Sequence, residues 1–384
     1  MALNDKDLER ARANFPIIKE LIYLNHASHS PLPLSARAAY DRYLDSWQNT
    51  RHQHDIESFQ IIENVRDKLA SMIRCEPERL GLSAGTSQGF NVVAGGYPWK
   101  VGDNLIVSGC EFPAVVYPWI RLESKGVEIK FADCDNGFIS EDNIISLVDE
   151  KTRVIAVSWV QFHNGFRVDL RRLGKFCREN GILLCVDGIQ GMGVVPVDVP
   201  SLNIDLFTCG CQKWMLGPCG TGFFYLSARA ENIMGIPFYG WLSVDWGVDF
   251  SNLLRYNLPP RTGPAKFEFS TYAFQDIRAL DASLDFLRSF DPGEIWDHVK
   301  SLTDMIIRAV DSNRNYSLAS SREDSRRSGI LNIRSKNSSA LLDFLAKRGI
   351  AVSFREGGLR VAPHFYNSRD EIEVFADALN RFNG

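Results

Sequence analysis

Between about Asn104 and Leu226, short apolar runs alternate with amphipathic or polar stretches. The runs are NLIVSG (Asn104 to Gly109), VEIKFAD (Val127 to Asp133), TRVIAVSWV (Thr152 to Val160), ILLCVDGI (Ile182 to Ile189), DLFTCGC (Asp205 to Cys211) and GTGFFYLS (Gly220 to Ser227). Several are almost continuously apolar, as strands covered on both faces must be. In the connector from Asp169 to Asn180, Leu170, Leu173, Phe176 and Cys177 recur at helical spacing, while Arg171, Arg172, Lys175, Arg178 and Glu179 point elsewhere. The pattern predicts βαβ units that build a parallel sheet, with ligand sites at the carboxyl ends of its strands.

After about Phe250 the texture changes to NLPPRTGPAKFEFS, rich in Pro and Gly, and then to a helical pattern from about Tyr272 to Phe290. Further on, SGILNIRS reads as a strand, SALLDFLAKRG as a helix closed by glycine, and LRVAPHFYN as a strand leading into the helix RDEIEVFADALNRF. The expectation is an α/β protein with a large domain over 21–255 and a smaller α+β domain over 256–384. A segment over 1–20 is expected to pack with the small domain.

A chain of 384 residues has ample material for more than one core. Hydrophobic residues at 45% and charged residues at 23% are globular values, which argues against disorder and repeats. Lys plus Arg total 43 against 47 Asp plus Glu, so no basic excess exists to neutralise nucleic acid or anionic lipid. The start, MALNDKDLERARANFP, lacks the apolar core of a signal peptide, and a cytoplasmic, soluble protein with small-molecule partners is expected. The 8 cysteines are scattered singly except Cys209, Cys211 and Cys219, and read as buried thiols rather than a disulfide frame. The spacing of those three is not that of a zinc knuckle and no histidine lies near them, so no metal is expected.

Five places hold candidate chemistry. Lys213 follows a buried-type strand and is enclosed by apolar and Gly-rich sequence, where desolvation would make its amine nucleophilic; alone, it also reads as a surface lysine. Asp187 closes an apolar run, a place for a carboxylate that meets a cation or caps a turn. In LSAGTSQGFNVVAGG, Thr86 and Ser87 precede a helical segment whose N-terminus can hold a phosphate, or is a plain N-cap. Phe112 at a strand exit can stack on a flat ring or fill a core. Arg360 sits among apolar residues, with a fork suited to a carboxylate or to a structural ion pair.

In this order the elements resemble the class V aminotransferases of the fold-type I pyridoxal-phosphate (PLP) superfamily, the group that includes cysteine desulfurases, kynureninases and isopenicillin-N-epimerase-like proteins. The resemblance runs from YLNHASHSPLP at Tyr23 to HFYNSRDEIE, and is most specific in VDGIQGMG followed by QKWMLGPCGTGF. It implies a mostly parallel sheet flanked by helices, PLP as cofactor, a small amino acid as substrate and a homodimer with shared active sites. By position, it makes Lys213 the Schiff-base lysine, Asp187 the partner of the pyridine nitrogen and Gln190 a contact to the ring hydroxyl. Gly85 and Thr86 match the phosphate turn, Phe112 the ring over the cofactor, and Asn164 in VQFHNGFR a second hydroxyl contact. Gln212, just before the lysine, is counted among the cofactor-binding residues. Arg360 matches the carboxylate-binding arginine, Asn25 and His26 the loop lining the substrate side, and Thr271 in KFEFST a residue that reaches the neighbouring subunit's phosphate.

Three positions depart from the desulfurase pattern. AVSFREGGLRVAP carries no cysteine where desulfurases place a mobile catalytic one, Gln212 replaces their histidine, and Gly210 replaces a phosphate-side serine. A persulfide route on the protein is therefore not expected. The shared chemistry is removal of the Cα proton by Lys213 while Asp187 keeps the ring electron-withdrawing. Transamination is the nominal outcome, with β-eliminating C–S lyase or epimerase chemistry as alternatives. A binding protein that retains cofactor without turnover is the rival from another class, and retention of Lys213, Asp187 and Arg360 together argues against it.

Overall fold

The computed structural model describes residues 3–49, 56–247 and 251–382; Phe250, where the change of texture sets in, lies outside them. From the amino end, α1 (Asp5–Ala13), β1 (Ile22–Tyr23), α2 (Leu34–Gln48) and α3 (Ile56–Ile73) lead to β2 (Leu80–Ser83) and α4 (Thr86–Gly96). There follow β3 (Asn104–Ser108), α5 (Pro113–Ile120), β4 (Glu128–Ala132), α6 (Glu141–Ser146), β5 (Thr152–Ser158), α7 (Leu170–Glu179), β6 (Leu183–Asp187), β7 (Leu206–Gly210) and β8 (Gly222–Leu226). Helices α8 (Ala228–Ile233), α9 (Phe274–Arg288) and α10 (Pro292–Asp311) precede β9 (Tyr316–Leu318), β10 (Leu331–Ser335), α11 (Ser338–Ala346), β11 (Ile350–Ala351), β12 (Ser353–Arg355), β13 (Gly358–Val361) and α12 (Arg369–Arg381).

Among the described residues the main sheet has the order β2-β8-β7-β6-β5-β3-β4, parallel except for β8, which runs against both its neighbours. Continuous apolar strands work here because alternate residues serve opposite cores. Ile106, Ile155, Val157, Leu184, Val186 and Phe207 enter one cluster, while Leu105, Val107, Val154, Ala156, Leu183 and Cys185 enter the other. Helix α7 seals the first cluster. Leu170, Leu173 and Cys177 are buried, and Asp169 caps the helix by accepting from the Arg172 amide at 3.0 Å, a contact worth about 1 kcal/mol.

A second sheet, β12-β13-β10-β9, covers a third core that includes Leu302, Ile306, Leu331, Ile333, Leu359, Val361 and Phe375. The chain ends cross between these bodies. Strand β1 pairs with β11, Leu24 enters the third core, and Phe15 stacks on Tyr366 with ring centroids 3.8 Å apart. Helix α9 belongs to the first core through Phe274, Ile277, Leu280 and Leu284.

One cysteine expectation is corrected: Cys110 and Cys134 form a disulfide. The register explains it, because Ser108 lies opposite Ala132 in the parallel β3–β4 pair and the two cysteines each stand two residues further on. Cys177, Cys185, Cys209 and Cys211 are buried free thiols, and Cys219 is exposed. No helix among the described residues is long and apolar enough to cross a membrane.

Candidate active site

The carboxyl ends of β2, β3, β5, β6 and β7 open into one cavity of about 510 Å³, which β12 and β13 close from the other sheet. Ala27, Ser28, Gly85, Thr86, Ser87, Phe112, Phe162, Asp187, Gln190, Gln212, Lys213, Arg355 and Arg360 are among its lining residues. Strand β7 ends at Gly210, and the turn after it delivers Lys213 to the cavity at 9% exposure. Burial pulls the ammonium down to about 8, opposed by the Asp187 carboxylate and reinforced by the Arg360 and Arg355 charges. The amine thus becomes available near neutral pH, as a nucleophile or base requires.

Asp187 ends β6 at 2% exposure and accepts from the Ile189 amide at 2.9 Å. Its burial raises it to about 6, while that hydrogen bond and Lys213 hold it down. It remains a carboxylate at neutral pH. The Thr86 hydroxyl lies 3.5 Å from it and accepts from the Gly210 amide at 3.1 Å, which ties the start of α4 to the end of β7. Gly85 has φ +152°, a region only glycine favours, and a Cβ at Gly222 would come within 2.8 Å of the Gly85 Cα. The two glycines let β8 run against this turn. No side chain caps α4, so its first amides and positive end face the cavity.

The floor is tied by hydrogen bonds. Gln190 donates to the Ala27 carbonyl at 3.0 Å and accepts from the Trp214 indole at 2.9 Å, and the Trp214 carbonyl lies 2.9 Å from His364 Nε2. Trp214 is fully buried. Phe112 leaves 41% of its surface exposed, with Lys213 Nζ 5.5 Å from its ring centroid and Phe162 packed edge-on at 5.3 Å.

Arg360 is 2% exposed and is held by Ser353 Oγ at 3.2 Å, the Phe162 carbonyl at 2.7 Å and Ser28 Oγ at 2.5 Å. No carboxylate among the described residues pairs with it. Burial and the nearby Arg355 bring it down to about 9, the mark of a cation that waits for an anion.

Several expected residues sit elsewhere. Asn164 turns away from the cavity, giving its Nδ2 to the Gly137 carbonyl at 2.9 Å and accepting from the Phe166 amide at 3.0 Å. Phe162, two residues earlier, occupies the lining instead. His26 is buried behind the floor, its ring nitrogens 3.1 Å from the Ala362 carbonyl and 2.9 Å from the Tyr366 hydroxyl. Asn25 bridges Ala362, with its buried Oδ1 lacking a partner, and neither residue lines the cavity; Ala27 and Ser28 do. Thr271 is exposed outside the cavity, 3.3 Å from the Trp241 indole. Gln212 lines the cavity and folds back onto Gly210, where an added Cβ would lie 2.5 Å from its Oε1, so the two departures from the desulfurase pattern are sterically linked.

Sequence reasoning missed Phe162, Ser28, Arg355 and Glu111. Glu111 follows β3 and accepts from the Ser158 amide at 2.7 Å and from its hydroxyl; burial raises it to about 7. The adjacency of Glu111 to Phe112 in CEFPA was the available signal. Ser28, by contrast, gains its role through a contact 332 residues away, which no local pattern reveals.

The donor set fits PLP: an uncapped helix N-terminus with Thr86 and Ser87 for a phosphate, a part-exposed aromatic ring for a planar face, a buried carboxylate for a pyridinium and a depressed lysine for its aldehyde. The sequence profile of the family described as Aminotransferase class-V matches residues 22–374. A probable cysteine desulfurase of Methanothermobacter thermautotrophicus (strain Delta H) is 25% identical, over 98% of each chain. Among solved structures, the cysteine desulfurase CsdA of Escherichia coli in its S-sulfonic acid form superposes with TM-score 0.86 at 22% identity, covering 99% of this chain and 98% of that one. The cystine C-S lyase C-DES, in complex with cysteine persulfide, gives TM-score 0.86 at 20% identity over 96% of this chain and 100% of its own.

Proposed function

Since the chain belongs to the class V aminotransferase family of PLP-dependent enzymes, we propose that it acts at the Cα of a small amino acid and expels a sulfur substituent from Cβ. The observation that carries the first part is the convergence of Lys213, Asp187 and Arg360 on one cavity. The relatives named as cysteine desulfurases support the second. Bound PLP supplies a sink for the electrons released at Cα. Asp187 would hold the proton of the ring nitrogen, Phe112 would pack on the ring, and Thr86, Ser87 and the α4 N-terminus would grip the phosphate. Arg360 binds the substrate carboxylate, and Lys213, the covalent anchor of the cofactor, takes the Cα proton. The Cβ–S bond then breaks with its electron pair leaving on sulfur.

No cysteine lines the cavity. Burial pushes Cys211 up to about 12 and raises Cys209 well above the ordinary thiol value, so neither offers a thiolate. Direct elimination fits this better than transfer of sulfur to the protein. Incubation of the holoenzyme is expected to give pyruvate and ammonia, through hydrolysis of the aminoacrylate, together with persulfide from cystine, sulfide from cysteine and a free thiol from cysteine conjugates. Alanine with an enzyme-bound persulfide would defeat the reading. Conversion of an added 2-oxo acid into its amino acid, without pyruvate, would establish the aminotransferase reading instead. The proposed setting is a cytoplasmic homodimer in which Thr271 serves the partner subunit's phosphate.

A further inference from the structure

The charged side chains lining the cavity are one carboxylate, Asp187, and three cations, Lys213, Arg355 and Arg360. On the reading above, on which this inference rests, Asp187 and Lys213 are taken by the cofactor and Arg360 by the substrate α-carboxylate. Arg355 is left over. Its guanidinium donates to the Phe354 carbonyl at 2.6 Å, and no carboxylate among the described residues forms an ion pair with it. We propose that Arg355 is a specificity residue that binds a second anionic group on the substrate side chain, so that the enzyme selects doubly acidic amino acids.

The backbone fixes Arg355 for this task. Strands β12 and β13 form a hairpin in which Ser353 lies opposite Arg360 and Arg355 opposite Gly358. Its two turn residues, Glu356 and Gly357, have φ +46° and +80°, the twist that a two-residue hairpin needs. Arg355 therefore shares a face with the Ser353–Arg360 pair and stands about 6.8 Å along the strand from it. That spacing suits a dicarboxylic amino acid held at both ends. The buried Asn332 amide clamps the hairpin by donating to the Arg355 carbonyl at 3.1 Å and the His163 carbonyl at 3.0 Å, and Gly358 makes room, since its Cβ would lie 2.0 Å from Asn332 Oδ1. Gly85 and Thr86, which are proposed to hold the phosphate, belong to the β2–α4 turn and not to this hairpin.

The test uses 2-methylglutamate and 2-methylglutamine, which have no Cα proton to lose, titrated into the holoenzyme by calorimetry and by the cofactor absorption spectrum. The acid is expected to bind about tenfold more tightly than the amide, the range of a hydrogen-bonded charge pair. Arg355→Ala should abolish that preference, Arg355→Glu should reverse it, and added salt should shrink it. No preference in the parent enzyme, or a preference that survives in Arg355→Ala, would overturn the proposal. Loss of PLP retention in Arg355→Ala, rather than loss of the preference, would assign the arginine to the phosphate and overturn it equally. Failure of both ligands, and of every simple amino acid, to perturb the holoenzyme would instead remove the amino-acid site itself.

Discussion

On the proposed reading Lys213, Asp187 and Arg360 divide the work by charge, and each carries a prediction. In the apoprotein the Lys213 amine must be neutral to attack an aldehyde, and with its ammonium depressed to about 8 the rate of PLP attachment should climb as pH rises through about 8 and level off above. Stopped-flow absorbance on apoenzyme mixed with PLP measures this; a midpoint near the ordinary lysine value would contradict it. Borohydride reduction should then fix the label on Lys213. Asp187→Ala is expected to stay folded, to retain PLP weakly and to lose about 10²-fold or more of turnover, since the ring proton loses its carboxylate; near-normal kcat would make Asp187 a turn residue. Arg360→Lys should weaken carboxylate binding by about 1.5–3 kcal/mol, because an ammonium cannot replace two parallel bonds. Residue identity was legible where chemistry and strand ends coincide, as at Lys213 and Asp187. It was illegible where a side chain could turn either way: Asn164 stands within two residues of the lining Phe162, and only the contacts with Gly137 and Phe166 decide its direction.

Elements were more legible than residues, for a physical reason. Strands β3 to β8 lie inside the apolar runs because both faces of the sheet are covered, and the amphipathic stripe of α7 appears where the spacing places it. The short β2, LGLS, escaped notice because four residues carry no period, and APHFYN, read as part of a strand, leaves the sheet after Val361. That last turn packs His364 beneath Trp214, beside His26. Burial lowers His364 to about 4 and His26 well below its usual value. Above about 6.5 the folded and unfolded chains are both neutral here and nothing is lost. As pH falls from about 6.5 toward 4, the unfolded chain binds protons that the folded one refuses, so stability declines, on the order of 3 kcal/mol for such a histidine by pH 4. Denaturation midpoints across this window should show the slope, and His364→Gln should flatten it.

At the scale of the molecule, the site draws on both sheets: five strand ends of the large one and the β12–β13 hairpin of the small one meet at the cavity. The division of the chain near 255 reflects composition, whereas packing crosses it, with α9 in the first core and Leu24 in the third. Alternation of polar and apolar residues cannot report which distant core an element joins. Trp241 at 43% exposure donates to Thr271, and Phe269 at 38%, two residues before Thr271, packs on Phe238 at 41%, an apolar surface suited to a second copy of the chain. Light scattering is expected to give a dimer, and Thr271→Ala to lower PLP retention without dissociating it; a monomer with full cofactor occupancy would refute the shared site. Trp214 carries one more consequence. Its indole is sealed in the floor of the cavity, one residue from Lys213 and bonded to Gln190. Excitation of that ring should pass by resonance transfer to any chromophore seated above it, so loading of the site can be followed as quenched ultraviolet emission, and Trp214→Phe should reduce that quenching, leaving the part carried by the other seven of the 8 tryptophans.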